Sequence, residues 1–275
     1  MTVAAKPTKK PLMVVGDGPR NARTDPDTGL RYYSWQGIEY PSVTSVRNLA
    51  GMPHKLAGWR TNQVIERAIT QYPMLGTMLA SSTPEVVATW LRKAANEKRD
   101  IAAGLGKRVH DAAATGMTLD KAPADISPFL LQYQRFLDFS KVEIMLVERQ
   151  VWNLTVGYAG TFDFIGRFPQ TGENWMIDLK TGNAIYPEHA LQVEAYSRGE
   201  FVGEDDVRDD EATDLLHSIT GRGILHLGAT GWEFVSVPPS DETWIAFRAL
   251  LKFASWADKH PAIDTLIGKS VKGTT

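Results

Sequence analysis

In the stretch WMIDLKTG, residues 175 to 182, an aspartate and a lysine stand two positions apart inside an otherwise apolar run. Side chains alternate along a strand, so Met176, Asp178 and Lys180 would share one face, with Trp175, Ile177 and Leu179 on the other. Two residues of strand rise separate the Cα atoms of Asp178 and Lys180 by about 6–7 Å, near enough for both to address one bound group. Charges in such a run are costly to bury unless they are paired or hold a metal ion. A site accounts for them, and so does an edge strand whose polar face meets water. A second acid, Asp163 in YAGTFDFIGRF, lies among Phe162, Phe164 and Ile165. The connecting PQTGEN contains the turn formers Thr171, Gly172 and Asn174, and a hairpin through it would bring Asp163 beside Asp178. Two carboxylates side by side repel; a divalent cation turns them into a chelate, because hard ions take several oxygen ligands. Glu148 in IMLVERQVW is a third acid after an apolar run, either part of such a site or a solvated strand end.

The elements that must position these residues follow from periodicity. RYYSWQGIEYPSV predicts a hairpin turning near Gly37. KLAGWRTNQVIERAIT predicts a helix. TPEVVATWLRKAANEKRD predicts another, with Thr83 as N-cap and Pro84 in the first helical position. A further helix is expected from about Ala94 or Asp100 to Ala114, ending near Gly116, and then one opening at Ser127-Pro128. The period next changes from 3.6 to 2, predicting strands over 141–152, 160–168 and 174–181. PEHALQVEAYSRG reads as a helix with Pro187 in its first turn. Two strands are expected around GATG in RGILHLGATGWEFVSV, and an amphipathic helix capped by Ser240 closes the series. That order predicts a mixed α/β fold with an N-terminal helical lobe. Residues 21–275 are expected to form a single domain, 21–135 supplying the hairpin and the lobe with His110, and 136–260 the mixed-sheet core.

Composition narrows the chemistry. The 275 residues are 43% hydrophobic and contain no cysteine, which excludes disulfides, a thiolate nucleophile and a cysteine-ligated zinc or iron-sulfur site, and suits a reducing cytoplasm. No apolar run approaches the roughly 18 residues of a membrane span. The opening MTVAAKPTKKPLMVVG is basic, lacks the pattern of a signal peptide and is expected to be a loose tail over residues 1–20. VVGDGPR has too few glycines, and no lysine followed by serine or threonine, for a phosphate-binding loop of the helicase type. The formal charge of −2 is skewed by EFVGEDDVRDDEATD, residues 200 to 214, with eight acids and one base. The remainder carries 29 bases against 24 acids, which permits phosphate binding without demanding it. The acidic segment reads as a solvated loop.

Four short motifs, GLGKRVH (104–110), GTFDF (160–164), IDLKTG (177–182) and QVEAY (192–196), occur in an order that resembles the PD-(D/E)XK nuclease superfamily, most closely its RecB-like phage and bacterial exonucleases. The resemblance spans roughly residues 40–200; YPSVTSV followed by Trp59 also looks like the start of many phage members. It implies a restriction-endonuclease-like core, a mixed central sheet flanked by helices. It further implies that Asp163, Asp178, the backbone carbonyl of Leu179 and His110 hold Mg²⁺ or Mn²⁺. Lys180 would orient and help deprotonate the attacking water, or stabilise charge on the phosphate. One ion suffices for this ligand set, with a second if Glu148 points inward.

His110 would otherwise read as an ordinary packed or exposed histidine. Gly106 lies one turn earlier on its face and permits close backbone approach, while Lys107 and Arg108 adjoin it in a run with Arg92, Lys93, Lys98 and Arg99, a DNA-binding or simply solvated helix face. Gln192 and Tyr196, four apart on one helical face, would contact DNA or support the lysine, as would Thr181; a buried tyrosine with a polar handle fits the pair as well. Trp35, Trp59 and Trp90 could stack on bases but are expected in the core. His54, His189, His217, His226 and His260 match no motif and read as structural. The implied activity is metal-dependent hydrolysis of DNA phosphodiesters by an exonuclease of phage or bacterial recombination, replication or degradation, with DNA and a phage or host recombination protein as partners. Many RecB-like relatives carry four cluster-binding cysteines, which this chain lacks, so no iron-sulfur cluster is expected. The alternative is a nucleic-acid- or partner-binding module on the same fold whose chemistry has lapsed; the presence of Asp163, Asp178 and Lys180 argues against it.

Overall fold

The structure, a computed structural model, describes residues 14–15, 22–26, 28–51 and 53–259. The basic tail expected over 1–20 lies outside the described residues apart from Val14 and Val15, and so does His260. A small antiparallel sheet comes first: β2 (Ala22–Thr24), β3 (Arg31–Trp35) and β4 (Ile38–Pro41). Gln36 and Gly37, both at positive φ (49° and 76°), make the predicted turn between β3 and β4, in the backbone conformation that matches strand twist.

Helices α1 (Val43–Asn48), α2 (Pro53–Thr70), α3 (Tyr72–Ser81), α4 (Pro84–Ala114) and α5 (Ser127–Ser140) follow. Ser42 caps α1 by accepting the Ser45 N–H at 3.0 Å. The two helices expected between Thr83 and Gly116 are one 31-residue helix, α4. Its middle, AANEKRDIAAG, consists of helix formers with no proline, so nothing interrupts the hydrogen-bond ladder before Gly116 at φ 64°. Thr83 occupies the N-cap position of α4 without capping through its side chain. α3 was not anticipated; it buries no residue, and its apolar YPMLGTMLAS has no polar face to mark a period.

The main sheet holds eight strands. β5 (Glu143–Asn153), β6 (Tyr158–Phe168) and β7 (Glu173–Lys180) form an antiparallel meander, α6 (Pro187–Ser197) crosses one face, and β8 (Phe201–Glu204) and β9 (Val207–Asp209) extend the β5 edge. After α7 (Asp210–His217), β10 (Ile219–Leu227) pairs in parallel with β7 and antiparallel with β11 (Trp232–Ser236); α8 (Asp241–Lys259) closes the described chain, with the Thr243 N–H donating to the Ser240 hydroxyl as expected of its cap. The order is β11-β10-β7-β6-β5-β8-β9, and β1 (Val14–Val15) lies parallel to the remaining length of β5. The architecture is thus mixed α/β, a mixed sheet flanked by helices.

The acidic segment 200–214 is not a loop: it builds β8, β9 and the start of α7. Its acids have work that sequence proximity does not reveal. Glu204 and Asp209 accept from the buried Arg149 guanidinium at 3.0 and 2.8 Å, Asp209 also caps α7 through the Ala212 N–H, and Glu200 accepts from the Leu154 N–H. Burying Arg149 is tolerable only because both carboxylates meet it.

One face of the sheet packs Leu146, Phe162, Ile165 and Met176 against Val43, Val193, Tyr196 and Phe247 from α1, α6 and α8. The other packs Val147, Phe164, Ile177 and Leu179 against Val109, Ala112, Leu130 and Phe136 from α4 and α5. Trp35, Trp152 and Phe201, with ring centroids 4.8 to 4.9 Å apart in successive contacts, join the small sheet to the large one. Among the described residues no helix is long and apolar enough to cross a membrane.

Candidate metal centre

The site is built where the sheet stops being regular. β6 and β7 are hydrogen-bonded from Phe168↔Glu173 to Phe164↔Ile177, then part, although β6 runs on to Tyr158 and β7 to Lys180. The Leu179 N–H, which would have continued the ladder, instead donates to Asp163 Oδ2 at 2.5 Å. The carboxylate thus occupies the gap between the strands and satisfies a backbone group that would be costly to leave unpaired.

On the other side of β6, Glu148 sits at φ 51°, a left-handed conformation rare for a non-glycine residue within a strand. The packing switches faces at this point. Val147 and its partner Phe164 belong to the α4/α5 side, but Phe162 two residues on belongs to the opposite core, where strict alternation would have kept it with Phe164.

α4 brings the third member. Val109 and Ala112 are buried against the sheet, and they aim His110 at the same point, its Nδ1 3.2 Å from Asp163 Oδ1 and 4.0 Å from Glu148 Oε1. Donor atoms of His110, Glu148 and Asp163 all lie within 4.8 Å of one another, in a recess walled by Tyr133, Val147, Phe164 and Leu179. At Gly106 a Cβ would stand 2.9 Å from Thr181 Oγ1, so a larger residue there would displace the Thr181 side chain, while no backbone atom lies that close.

Asp178 stands beside this trio rather than within it. It is 1% exposed and ion-paired to Lys180, whose Nζ lies 2.5 Å from Oδ2, yet neither carboxylate oxygen has a well-formed hydrogen bond. Lys180 also donates to the Leu179 carbonyl at 3.3 Å, which places that carbonyl and the amine together at the end of β7.

Electrostatics tie the groups together. Burial and the Asp163 charge push the Glu148 carboxyl up to about 8. Burial raises Asp178 as well, with Asp163 adding to it and Lys180 opposing. Asp163 goes the other way: burial opposes its ionisation, but the charge and hydrogen bond of His110, then Lys180 and the Leu179 amide, hold it below the usual carboxylate range. Burial works against the His110 imidazolium, but Asp163 outweighs it and the imidazole holds its proton more tightly than usual. Protons and positive side chains thus compensate an excess of negative charge among the buried carboxyls.

The remaining candidates are placed differently. Gln192 Nε2 donates to the Tyr196 hydroxyl at 3.0 Å, both side chains buried beneath α1, and the Gln192 Oε1 is without a partner. Gly160 of the GTFDF motif makes room for that tyrosine, since a Cβ there would lie 2.6 Å from Tyr196 Cε1. Lys107 and Arg108 are exposed and paired with Asp111 and Asp125, outside the cluster, although the Lys107 charge reaches Glu148. Arg47, His189 and His226, which the motifs passed over, are near enough for the charges of Arg47, His226 and Lys180 to act on the His189 imidazole. Their connection could not be read along the chain, because α1, α6 and β10 meet only in the fold.

No family model matches the chain, and no curated protein matches it. Among solved structures it is similar to the one titled "Crystal structure of SSO0001", at 13% identity and a TM-score of 0.31 over 74% of this chain and 75% of that one, a likeness too distant to assign chemistry.

Proposed function

We propose that the protein is a metal-dependent nuclease of the PD-(D/E)XK type, RecB-like in its histidine and its motif order, hydrolysing DNA phosphodiesters as an exonuclease. The single observation that carries this reading is the convergence, within 4.8 Å, of His110, Glu148 and Asp163 at the point where β6 and β7 part, with Lys180 at the end of the same gap. Two carboxylates and an imidazole suit Mn²⁺ or Mg²⁺, and the buried Asp178, whose Oδ2 meets Lys180 while its Oδ1 has no hydrogen bond, fits the same need. His110, Glu148 and Asp163 would hold the ion, with Asp178 and the Leu179 carbonyl completing its ligands.

Such an ion supplies positive charge to the phosphate oxygens and acidifies a water ligand. The side chains do the rest. Lys180, held by Asp178 and the Leu179 carbonyl, orients the attacking water and meets the charge that develops on the phosphate. Water adds to phosphorus in line with the departing ester oxygen; the P–O ester bond breaks and that oxygen takes up the proton the water gives up. Gln192 and Tyr196 brace the end of β7 from the α6 side.

Labelled linear DNA with Mn²⁺ tests this. Wild type cleaves, and Asp163→Ala loses about a hundred- to a thousandfold, the scale of removing a central electrostatic group. Binding without cleavage by wild type would instead identify a module whose chemistry has lapsed. Circular DNA cut as fast as linear would overturn the exonuclease assignment alone.

A further inference from the structure

Near Lys180 lies a second group of side chains, Arg47, His189 and His226. α1 packs on α6, where the Thr44 hydroxyl lies 3.4 Å from that of Tyr196. Arg47, one turn further along α1, has a buried Nε without a hydrogen bond, and among the described residues no carboxylate lies within ion-pair distance of its guanidinium. His189, in the first turn of α6 and 6% exposed, accepts the Tyr186 N–H on Nδ1 at 3.2 Å, which leaves the ring proton on Nε2. His226 meets the Gly182 carbonyl through Nε2 at 2.6 Å, at the loop between Lys180 and α6. Burial, then the charges of Lys180, Arg47 and His226, push the His189 imidazole down to about 3, so it stays neutral.

Arginine has donors only, and so does a histidine Nε2–H. A buried donor without an acceptor is costly, so an arginine whose Nε is left this way, close enough for its charge to act on a donor imidazole, fits a ligand that brings acceptors and negative charge. We propose that Arg47 and the Nε2–H of His189 hold nonbridging oxygens of a backbone phosphate next to the one hydrolysed, which makes Arg47 a substrate-binding residue. The identity of that phosphate rests on the nuclease reading.

The test uses the full chain in Ca²⁺ with short fluorescein-labelled DNA, single-stranded and duplex, followed by anisotropy across a salt series, and cleavage kinetics in Mn²⁺. Arg47→Ala is expected to weaken binding about tenfold, to lower the slope of log K against log salt by about one, and to raise KM more than it lowers kcat. Arg47→Lys restores part of the affinity, since it keeps the charge but not the planar fork. Arg47→Gln, which keeps the length of the stem, replaces the alanine variant if the latter melts early. Unchanged affinity and salt slope in a folded Arg47 variant, with Asp163→Ala inactive, overturns the Arg47 proposal and leaves the nuclease reading standing. If Asp163→Ala cleaves as wild type, the nuclease reading fails and the phosphate subsite stands or falls on the salt slope.

Discussion

Glu148 has three unusual properties at once: a left-handed backbone inside a strand, a mostly buried side chain, and a carboxyl pushed up to about 8. A strained conformation of this kind costs on the order of 1–3 kcal/mol and persists where the surroundings over-determine it. Here the strain turns the acid toward His110 and Asp163. The consequence for pH follows from linkage. A carboxyl whose folded pKa is raised binds its proton in the folded state at pH values where the unfolded chain has released it, so stability falls as pH rises from the ordinary glutamate range near 4.5 towards 8. His110 and Asp178, both raised, slope the same way, while Asp163, lowered, loses its contribution only in acid. Cation-free Glu148→Gln is therefore expected to melt with a flatter pH dependence than wild type and to be the more stable of the two at pH 8, by about 1–2 kcal/mol. Thermal melts between pH 5 and pH 8 in chelator decide it; parallel curves would mean that Glu148 is ionised throughout.

The elements show which parts of this arrangement are legible in a chain of residues. β5, β6 and β7 fall within two residues of their expected bounds, because alternation over eight or more positions is a strong local pattern; the hairpin expected through PQTGEN forms, and it brings Asp163 to the Leu179 amide and His110, with Asp178 beside the trio. Glu148 was ambiguous for a physical reason: its side chain reaches the trio through a positive φ, and nothing in IMLVERQVW requires one. Glu204 and Asp209 looked solvated because their cation, Arg149, lies more than 50 residues upstream. Lys107 and Arg108 sit beside His110 in sequence, yet the helix turns them out to Asp111 and Asp125. Gly160 shows a motif glycine acting at element scale. It lets the Tyr196 ring and Val43 lie on β6, a Cβ meeting Tyr196 Cε1 at 2.6 Å and Val43 Cβ at 3.3 Å. Both neighbours are fully buried and cannot swing away. Gly160→Ala is expected to cost about 1–3 kcal/mol through overpacking and to loosen the Gln192–Tyr196 hydrogen bond behind β7. Denaturant unfolding measures the first effect, and a melt indistinguishable from wild type would show that α1 and α6 can separate at little cost.

At the scale of the whole molecule, the trio draws on α4, β5 and β6 at once, so its charge balance is part of the stability of the fold. Arg149 anchors the outer hairpin β8–β9 to β5 one residue from Glu148, and Arg149→Met, which strands Glu204 and Asp209 against each other, is expected to cost about 3–5 kcal/mol in urea unfolding. A bound cation is expected to have the opposite effect. The unfolded chain cannot assemble residues 110, 148 and 163, so Mn²⁺ binding the folded state alone stabilises it by mass action, about 2.7 kcal/mol at a hundredfold excess over Kd. For a chain of this size that corresponds to a rise in Tm of roughly 5–10 °C. The rise should be greater at pH 8 than at pH 6, because Glu148 and His110 must give up protons to serve as ligands. It should vanish in Asp163→Ala, which removes the acid that both His110 and Leu179 address. Melts in Mn²⁺ against chelator, at two pH values and in both proteins, separate this from surface binding: an equal rise in Asp163→Ala would place the ion elsewhere and leave the convergence of the three side chains without a cation to explain it.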